Sequence, residues 1–251
     1  MTISTAKDRF YRDMGHLAGL KRFRVVVKET DLQIHAESDL TDLARELVAQ
    51  YRGFIEGFIR RHPLFLESQV PVSIGQPAPA IVRDMMWAAA KAGVGPMAAV
   101  AGAIAENVGQ DLLSHTPQVI VENGGDVFVK TRNPLLMGIY AGSSPLSLRV
   151  GLRLESDIMP LGICTSSGMV GHSISTGRSD AVCVVSPDCT LADAAATAIG
   201  NRVRKSADIP QAIEYGRIID GVTGIVIIIG DRIGCWGDVS LEPLKPKTKK
   251  G

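Results

Sequence analysis

Hydrophobic residues in the first sixty positions follow two different periods. Residues 22–27 and 32–36 are two short runs rich in apolar and β-branched residues, and this pattern predicts an opening β-hairpin. Across residues 40–59 the apolar positions recur at spacings of three and four, which predicts one long amphipathic helix. The His62-Pro63 pair ends that helix, because a residue before proline avoids the helical conformation.

Two further helices are predicted before the middle of the chain. Residues 80–92 form the first, and Gly93 is its predicted stop. Residues 97–114 form the second, whose first half carries almost no side chain beyond alanine and glycine. Small residues allow another backbone or a ligand to approach closely. Two roles for this half of the helix therefore remain open: it lines a ligand pocket, or it packs tightly on a sheet.

The second half of the chain reads mainly as strands. Asn123-Gly124 between two β-branched runs predicts a hairpin. The remaining predicted strands, separated by Gly, Ser, Pro and Asp, are 136–141, 146–154, 162–165, 170–175, 181–185, 222–229 and 233–239, with helices at 190–203 and 210–215. Helices concentrated early and strands late favour an α+β fold, with antiparallel β-sheets and packed helices. We expect a single domain over residues 1–242 and a disordered basic tail over 243–251.

Composition excludes several classes of function. The 251 residues carry a net charge of +1, with 21% charged residues, so no basic field indicates nucleic acid as a partner. The start of the chain lacks the apolar core of a signal peptide. No apolar run approaches the roughly 18 residues of a transmembrane helix, so no membrane is expected. The four cysteines show no CxxC or zinc spacing, which indicates free thiols in a cytoplasmic protein.

A candidate metal site lies in the predicted helix 190–203. Asp193 and Thr197 are four residues apart, so their oxygens share one helix face. A carboxylate beside a hydroxyl suits Mg²⁺, which prefers oxygen ligands and retains waters or phosphate oxygens. The alternative is that Thr190 and Asp193 form a helix capping box, since they fit the S/T-x-x-D/E pattern.

A small polar loop precedes that helix. Residues 165–168 offer hydroxyls and backbone N–H groups that could hold phosphate, although an ordinary serine-rich turn has the same composition. Cys164 and His172 are candidate catalytic residues, as a thiol and a base. A hydrogen-bonded structural role for His172 is the alternative. Asp126 lies in a hairpin turn, where aspartate also serves backbone needs alone.

Five motifs in register resemble the flavin transferase superfamily typified by ApbE, which attaches FMN from FAD to a protein threonine using magnesium. The motifs are a GAIAEN helix at 102–107, NGGD at 123–126, TSSG at 165–168, His172 before Thr176-Gly177, and ADAAATA at 192–198. The segments 94–105 and 121–126 are most similar to the uncharacterised UPF0280 branch. This likeness covers nearly the whole chain and implies an ApbE-like single domain.

The resemblance also implies a ligand set. It implies Mg²⁺ held by Asp193, Thr197 and the backbone carbonyl of Ala103. It implies a phosphate-bearing ligand, with FAD or FMN the preferred choice. The residues that would line this ligand are Gly102, Ala103, Glu106, Asp126, Thr165, Ser166, Ser167, Gly168 and His172. An acceptor protein and a homodimer are left open as partners.

Two departures from the superfamily pattern bear on activity. Val100 replaces an acidic residue, which removes a nucleotide contact, and Glu106 replaces a lysine, which reverses a charge near phosphates. Three hypotheses follow. The first is an FMN-transferase-like enzyme. The second is sulfur chemistry at Cys164, because the UPF0280 branch is associated with sulfide assimilation to homocysteine in anaerobes, and it requires a lowered thiol pKa. The third is a non-catalytic binding or assembly subunit.

Overall fold

The computed structural model describes residues 19–167 and 177–244. The predicted strand at 170–175, together with the candidate site residues Gly168 and His172, lies outside the described residues. Residues 245–251 of the predicted tail also lie outside them. Pro243, the first proline of that tail, instead ends a strand in which it pairs with Val150.

Eleven strands lie within the described residues, and every pairing between them is antiparallel. In chain order they are β1 (Lys21–Val27), β2 (Thr30–Ala36), β3 (Val119–Asn123), β4 (Asp126–Lys130), β5 (Leu135–Gly138), β6 (Val150–Leu154), β7 (Leu161–Ser166), β8 (Ala181–Ser186), β9 (Gly224–Ile229), β10 (Arg232–Gly237) and β11 (Ser240–Pro243). Eight of them form one sheet in the order β1-β2-β3-β4-β7-β8-β9-β10. The other three form a small sheet in the order β11-β6-β5.

Six α-helices accompany these sheets in the described part of the chain. They are α1 (Thr41–Arg61), α2 (Leu64–Glu67), α3 (Ala80–Ala92), α4 (Val100–Leu112), α5 (Cys189–Gly200) and α6 (Ile209–Arg217). The predicted bounds of α3 are confirmed, and Gly93 follows it with a φ of 68°, a left-handed conformation that favours glycine. The predicted start of the next helix at Met97 is wrong, because Pro96–Ala99 is a 3₁₀ turn before α4.

The large sheet separates two hydrophobic clusters. One face packs on the helices, with Leu32, Ile34, Cys164 and Val184 among its buried residues. The opposite face packs on the small sheet. Alternating residues of each central strand therefore point into different clusters, as the strand period of two requires. The three layers confirm the predicted α+β fold with antiparallel sheets and packed helices.

The strand predicted at 146–154 is too long at its start, because β6 begins only at Val150. The preceding segment satisfies its backbone through serine side chains. Ser147 Oγ accepts from the Ala141 N–H at 2.9 Å, and Ser144 Oγ accepts from the Leu146 N–H at 3.1 Å. Local hydroxyl bonds of this kind compete with a strand ladder. The sequence pattern could not distinguish a continued strand from a segment held by serine hydroxyls.

The helices of residues 19–167 and 177–244 include no single one that is long and apolar enough to cross a membrane. Taken as a pair, Ala80–Ala92 and Pro96–Leu112 pass the same test of length and composition, but they are bent by 105° relative to each other.

Candidate functional site

Helix α5 is the most deeply placed helix of the fold. All of its residues are buried except Asp193, which is partly exposed. Two glycines allow this depth. A Cβ on Gly162 of β7 would lie 2.2 Å from Cys189 Cα, and one on Gly102 of α4 would lie 2.4 Å from the Cys189 carbonyl oxygen. Both neighbours are backbone atoms, so the close approach of α5 to β7 and α4 requires glycine.

Asp193 accepts a hydrogen bond from another helix. Its Oδ2 accepts from the backbone N–H of Gly102 at 2.8 Å, in the first turn of α4. The N-cap of α5 is Asp188, whose Oδ1 accepts from the Leu191 N–H at 2.8 Å. The interpretation of Thr190 and Asp193 as a capping box is therefore wrong. The free N–H groups at the start of α4 attract a carboxylate because no carbonyl of that helix can reach them.

A second carboxylate lies close to Asp193. Asp126 begins β4 and stands directly opposite Cys164 of β7 in the strand register, so it points towards α5. Burial raises the pKa of Asp126 well above its usual range, and the negative charge of Asp193 raises it further. Burial also raises the pKa of Asp193 to about 7. Within the described residues, no lysine or arginine forms a salt bridge with either carboxylate.

Two hydroxyls complete the surroundings. Ser166 lies two residues after Cys164 on the same face of β7 and is 8% exposed, and its Oγ has no hydrogen-bond partner among the described residues. Thr197 lies one turn after Asp193 and is 6% exposed. The predicted loop of residues 165–168 is wrong at its start, since Thr165 and Ser166 belong to β7. An unpaired buried hydroxyl is costly, so Ser166 marks a place for an additional polar group.

Glu106 lies at the other end of the contact between α4 and α5. Its Oε2 accepts from both the N–H of Thr190, at 3.0 Å, and the Thr190 hydroxyl, at 2.8 Å. Burial, then the negative charge of Asp188, raises the pKa of Glu106 to about 7. A cavity of about 330 Å³ adjoins it, and its lining residues are Asp84, Glu106, Asn107, Gln110, Asp188 and Thr190. Three carboxylates line this cavity, which makes it unfavourable for phosphate.

Cys164 does not have the environment of an activated thiolate nucleophile. It is fully buried, and burial raises its pKa well above the usual range. Its Sγ lies 3.4 Å from the carbonyl oxygen of Cys189 and 3.6 Å from Cys189 Sγ. The sulfur-chemistry hypothesis requires a lowered thiol pKa, whereas burial raises the pKa of Cys164. Cys183 and Cys189 are buried as well.

The Ala103 carbonyl already has a hydrogen-bond partner, since it accepts from Asn107 Nδ2 at 2.9 Å. In the described residues no group of three or more His, Cys, Asp or Glu is arranged to hold a metal ion. The sequence reasoning missed Asp188, although an aspartate directly before a helical pattern is a recognised N-cap signal. It also missed Asn123, whose Nδ2 donates to the Ala101 carbonyl at 3.1 Å and fixes the start of α4.

Comparison with known proteins places this geometry in a structural class. The apo flavinyl transferase ApbE of Pseudomonas stutzeri superposes with a TM-score of 0.56 at 14% identity, covering 87% of this chain and 94% of that one. The ApbE protein of Thermotoga maritima gives a TM-score of 0.53 at 14% identity, covering 86% and 96%. The chain therefore has an ApbE-like fold.

Sequence similarity is closer and defines the family. The family model described as "AbpE bacteria" matches residues 14–217. A UPF0280 protein of Methanocella arvoryzae is 41% identical over 218 residues, covering 86% of this chain and 89% of the relative. A UPF0280 protein of Methanocaldococcus jannaschii is 38% identical over 233 residues, covering 90% and 93%. The chain belongs to the UPF0280 family of ApbE-like proteins.

Proposed function

We propose that this protein binds a flavin nucleotide together with Mg²⁺ between β4, β7 and the middle of α5. Asp193 and Thr197 are the proposed metal-holding side chains, and Asp126 and Ser166 are the neighbouring polar groups. The single observation that carries the proposal is the pair of carboxylates, Asp126 and Asp193, which are close enough that one raises the pKa of the other. A bound divalent cation would relieve their mutual repulsion.

The donor set fits a hard cation of this kind. Carboxylate and hydroxyl oxygens are the ligands that Mg²⁺ prefers, and protein Mg²⁺ sites use few side chains because waters and phosphate oxygens complete the octahedron. A site with only Asp193 and Thr197 as side-chain ligands agrees with this habit. The Ala103 carbonyl, which the resemblance implies as a backbone ligand, accepts from Asn107 Nδ2 but has a second lone pair, so it stays in the proposed set.

The reaction that fits this site is transfer of FMN from FAD to an acceptor hydroxyl. Bound Mg²⁺ would supply Lewis-acid stabilisation of the diphosphate. The chain itself would hold that diphosphate in position, and the Ser166 hydroxyl is available to donate to an oxygen of it. Asp126 has a raised pKa because it is buried beside the Asp193 carboxylate, and a carboxyl group in such surroundings is a candidate general acid or base. The Pseudomonas stutzeri protein of similar fold is a flavinyl transferase, which supports this choice of reaction.

The acidic cavity beside Glu106 is excluded from this proposal as a phosphate site. Glu106 faces the N-terminus of α5 and hydrogen-bonds to Thr190, whereas Asp193 faces the N-terminus of α4. The reversed charge at Glu106 is therefore accommodated by α5, and it gives no reason to reject flavin binding near Asp193.

The test is a titration of FAD into the purified protein, followed by flavin fluorescence, with excess EDTA or with excess Mg²⁺. We expect tighter binding with Mg²⁺, and a loss of at least about tenfold in affinity for Asp193→Asn, equal to about 1.4 kcal/mol. Asparagine keeps an oxygen to accept from the Gly102 N–H, so the start of α4 remains capped. The substitution removes the charge and little else.

Asp231→Asn is the matched control. Asp231 lies in the turn between β9 and β10, and its side chain is 79% exposed. It also loses one negative charge, and it should bind FAD as the wild type does. If the wild type binds neither FAD nor FMN under either condition, or if Asp193→Asn binds as tightly as the wild type with Mg²⁺, the proposal is wrong.

A further inference from the structure

Two cysteines meet inside the helix-facing hydrophobic cluster. Cys164 lies on β7 and Cys189 is the first residue of α5, and both are fully buried. Their sulfur atoms are 3.6 Å apart, close enough for one thiol to donate a hydrogen bond to the other. The flavin proposal assigns no role to this contact.

The backbone fixes this proximity. A Cβ on Gly162 would lie 2.2 Å from Cys189 Cα, so the first turn of α5 rests directly on β7, two residues before Cys164. A disulfide bond is about 2.05 Å long, so the two sulfurs need to approach by only about 1.5 Å. A rotation about the Cα–Cβ bond of one cysteine, with a small shift of the helix start, supplies that movement.

The other two cysteines provide internal controls. Cys183 is buried in the cluster on the opposite face of the large sheet, so the sheet separates it from the pair. Cys235 is exposed on β10. Neither has a sulfur–sulfur contact with another cysteine of residues 19–167 and 177–244. Any reaction specific to the pair can therefore be told from general thiol oxidation.

We propose that Cys164 and Cys189 are an oxidisable pair, which a small uncharged peroxide converts into a disulfide that joins β7 to the first turn of α5. One sulfur attacks the peroxide, the O–O bond breaks, and a sulfenic acid and one water form. The second sulfur then displaces the sulfenic oxygen as a second water, and the S–S bond forms. The two thiols lose two electrons and two protons, and one hydrogen peroxide is reduced to two waters.

The surroundings decide which oxidants can act. Burial raises the pKa of Cys164 well above its usual range. The hydrogen bond with Cys164 lowers the pKa of Cys189, but burial together with the negative charges of Glu106, Asp126 and Asp193 brings the net value to about 11. Thiolate is the reactive form, so oxidation is slow. Because both sulfur atoms are buried, bulky or charged disulfides are excluded as oxidants. Hydrogen peroxide is small and neutral enough to reach the pair during local opening.

The experiment uses the full chain with Cys235→Ser, which removes the exposed thiol. The protein is treated with hydrogen peroxide, denatured, and alkylated with N-ethylmaleimide, and free thiols are counted by intact mass. We expect the count to fall from three to one, with a mass about 2 Da lower before alkylation. Peptide mapping without reductant should recover one crosslinked peptide that joins Cys164 to Cys189.

The variants Cys164→Ser and Cys183→Ser, each added to this background, separate the pair from its neighbours. Cys183→Ser should still form the crosslink, whereas Cys164→Ser should not. Three free thiols after a treatment that fully oxidises Cys235 in the wild-type chain would overturn the proposal. So would a crosslink that involves Cys183, or sulfinic acid at Cys164 with no disulfide. The result does not depend on whether flavin binds.

Discussion

Helices α4 and α5 cap each other with carboxylates, and the two caps differ in what surrounds them. Asp193 of α5 accepts from the Gly102 N–H at the start of α4, and Glu106 of α4 accepts from the Thr190 N–H at the start of α5. Each carboxylate meets the positive end of a helix dipole, where a negative charge is favoured. Burial raises the pKa of each to about 7.

The surroundings separate the two ends. Asp193 lies beside Asp126, and Ser166, on the helix-facing side of β7, has a hydroxyl with no hydrogen-bond partner among the described residues. Glu106 lies beside Asp188 and opens into an acidic cavity, and the Thr190 hydroxyl gives it a second donor from the same residue. The same local device therefore serves two purposes. Glu106 is satisfied as a structural cap, whereas the Asp193 end is where we propose that a ligand binds.

The largest expected effect on stability comes from disturbing the close contact between α4 and α5 at Gly102. In Gly102→Ala, the new Cβ would lie 2.4 Å from the Cys189 carbonyl oxygen and 2.7 Å from Asp193 Cβ. Overpacking against backbone costs up to about 3 kcal/mol. We expect a loss of this size in the unfolding free energy, measured by urea denaturation.

Gly53→Ala is the control for this substitution. Gly53 lies in the exposed part of α1, and a Cβ there meets nothing within 4 Å. Alanine should stabilise that helix by about 0.5–1 kcal/mol. If Gly102→Ala is as stable as the wild type, α4 and α5 are not packed as closely as described.

The sequence predicted the frame of the fold well and the site only in part. Local signals such as Gly93 after α3 and the glycine hairpin before Asp126 act over a few residues, so they could be recognised. The partner of Asp193 is Gly102, ninety-one residues away, and no local pattern encodes that contact. The capping box interpretation failed for this reason, because Thr190 and Asp193 fit a local pattern while their hydrogen bonds go to α4.

The contacts of Glu106 could not be predicted from local sequence patterns either. The resemblance to the ApbE superfamily marks it as a reversed charge near phosphates. Its hydrogen bonds to Thr190 become visible only when the two helices are placed side by side. The orphan hydroxyl of Ser166 is likewise a property of the packed strand β7 rather than of a serine-rich segment.

The pH dependence of stability is the next prediction in size. The pKa of Glu106 rises from 4.5 to about 7 on folding, and that of Asp193 from 3.8 to about 7. The folded state therefore binds more protons than the unfolded state in this window. Stability is greatest at the acidic side of the window and is lost as the pH rises towards 7, by up to about 1.4 kcal/mol per pH unit for each group. Urea denaturation between pH 5 and 8 in EDTA measures the slope.

Two changes separate the contributions of Glu106 and Asp193 to the slope of stability against pH. Glu106→Gln should reduce it by the share of Glu106, while glutamine still accepts from Thr190. Added Mg²⁺ should reduce the remainder, because a cation on Asp193 lowers the pKa of that carboxyl. Asp84 and Asp126 also have raised pKa values and act in the same direction, so only the differences are interpreted. Identical slopes for wild type and Glu106→Gln would contradict the raised pKa of Glu106.

The smallest expected effects come from two matched threonines, one at each end. Thr190→Val removes the hydroxyl that donates to Glu106 at 2.8 Å but leaves the backbone N–H in place. Loss of one hydrogen bond costs about 1 kcal/mol, and Mg²⁺-dependent FAD affinity should not change. Thr197→Val should lower Mg²⁺-dependent FAD affinity, because it removes a proposed metal ligand. It should change stability little, because valine fills the same volume among alanines. Calorimetric stability and FAD titration on both variants test the pair. If both variants lose stability equally and bind FAD equally, the two ends are structurally equivalent and the asymmetry proposed for them is wrong.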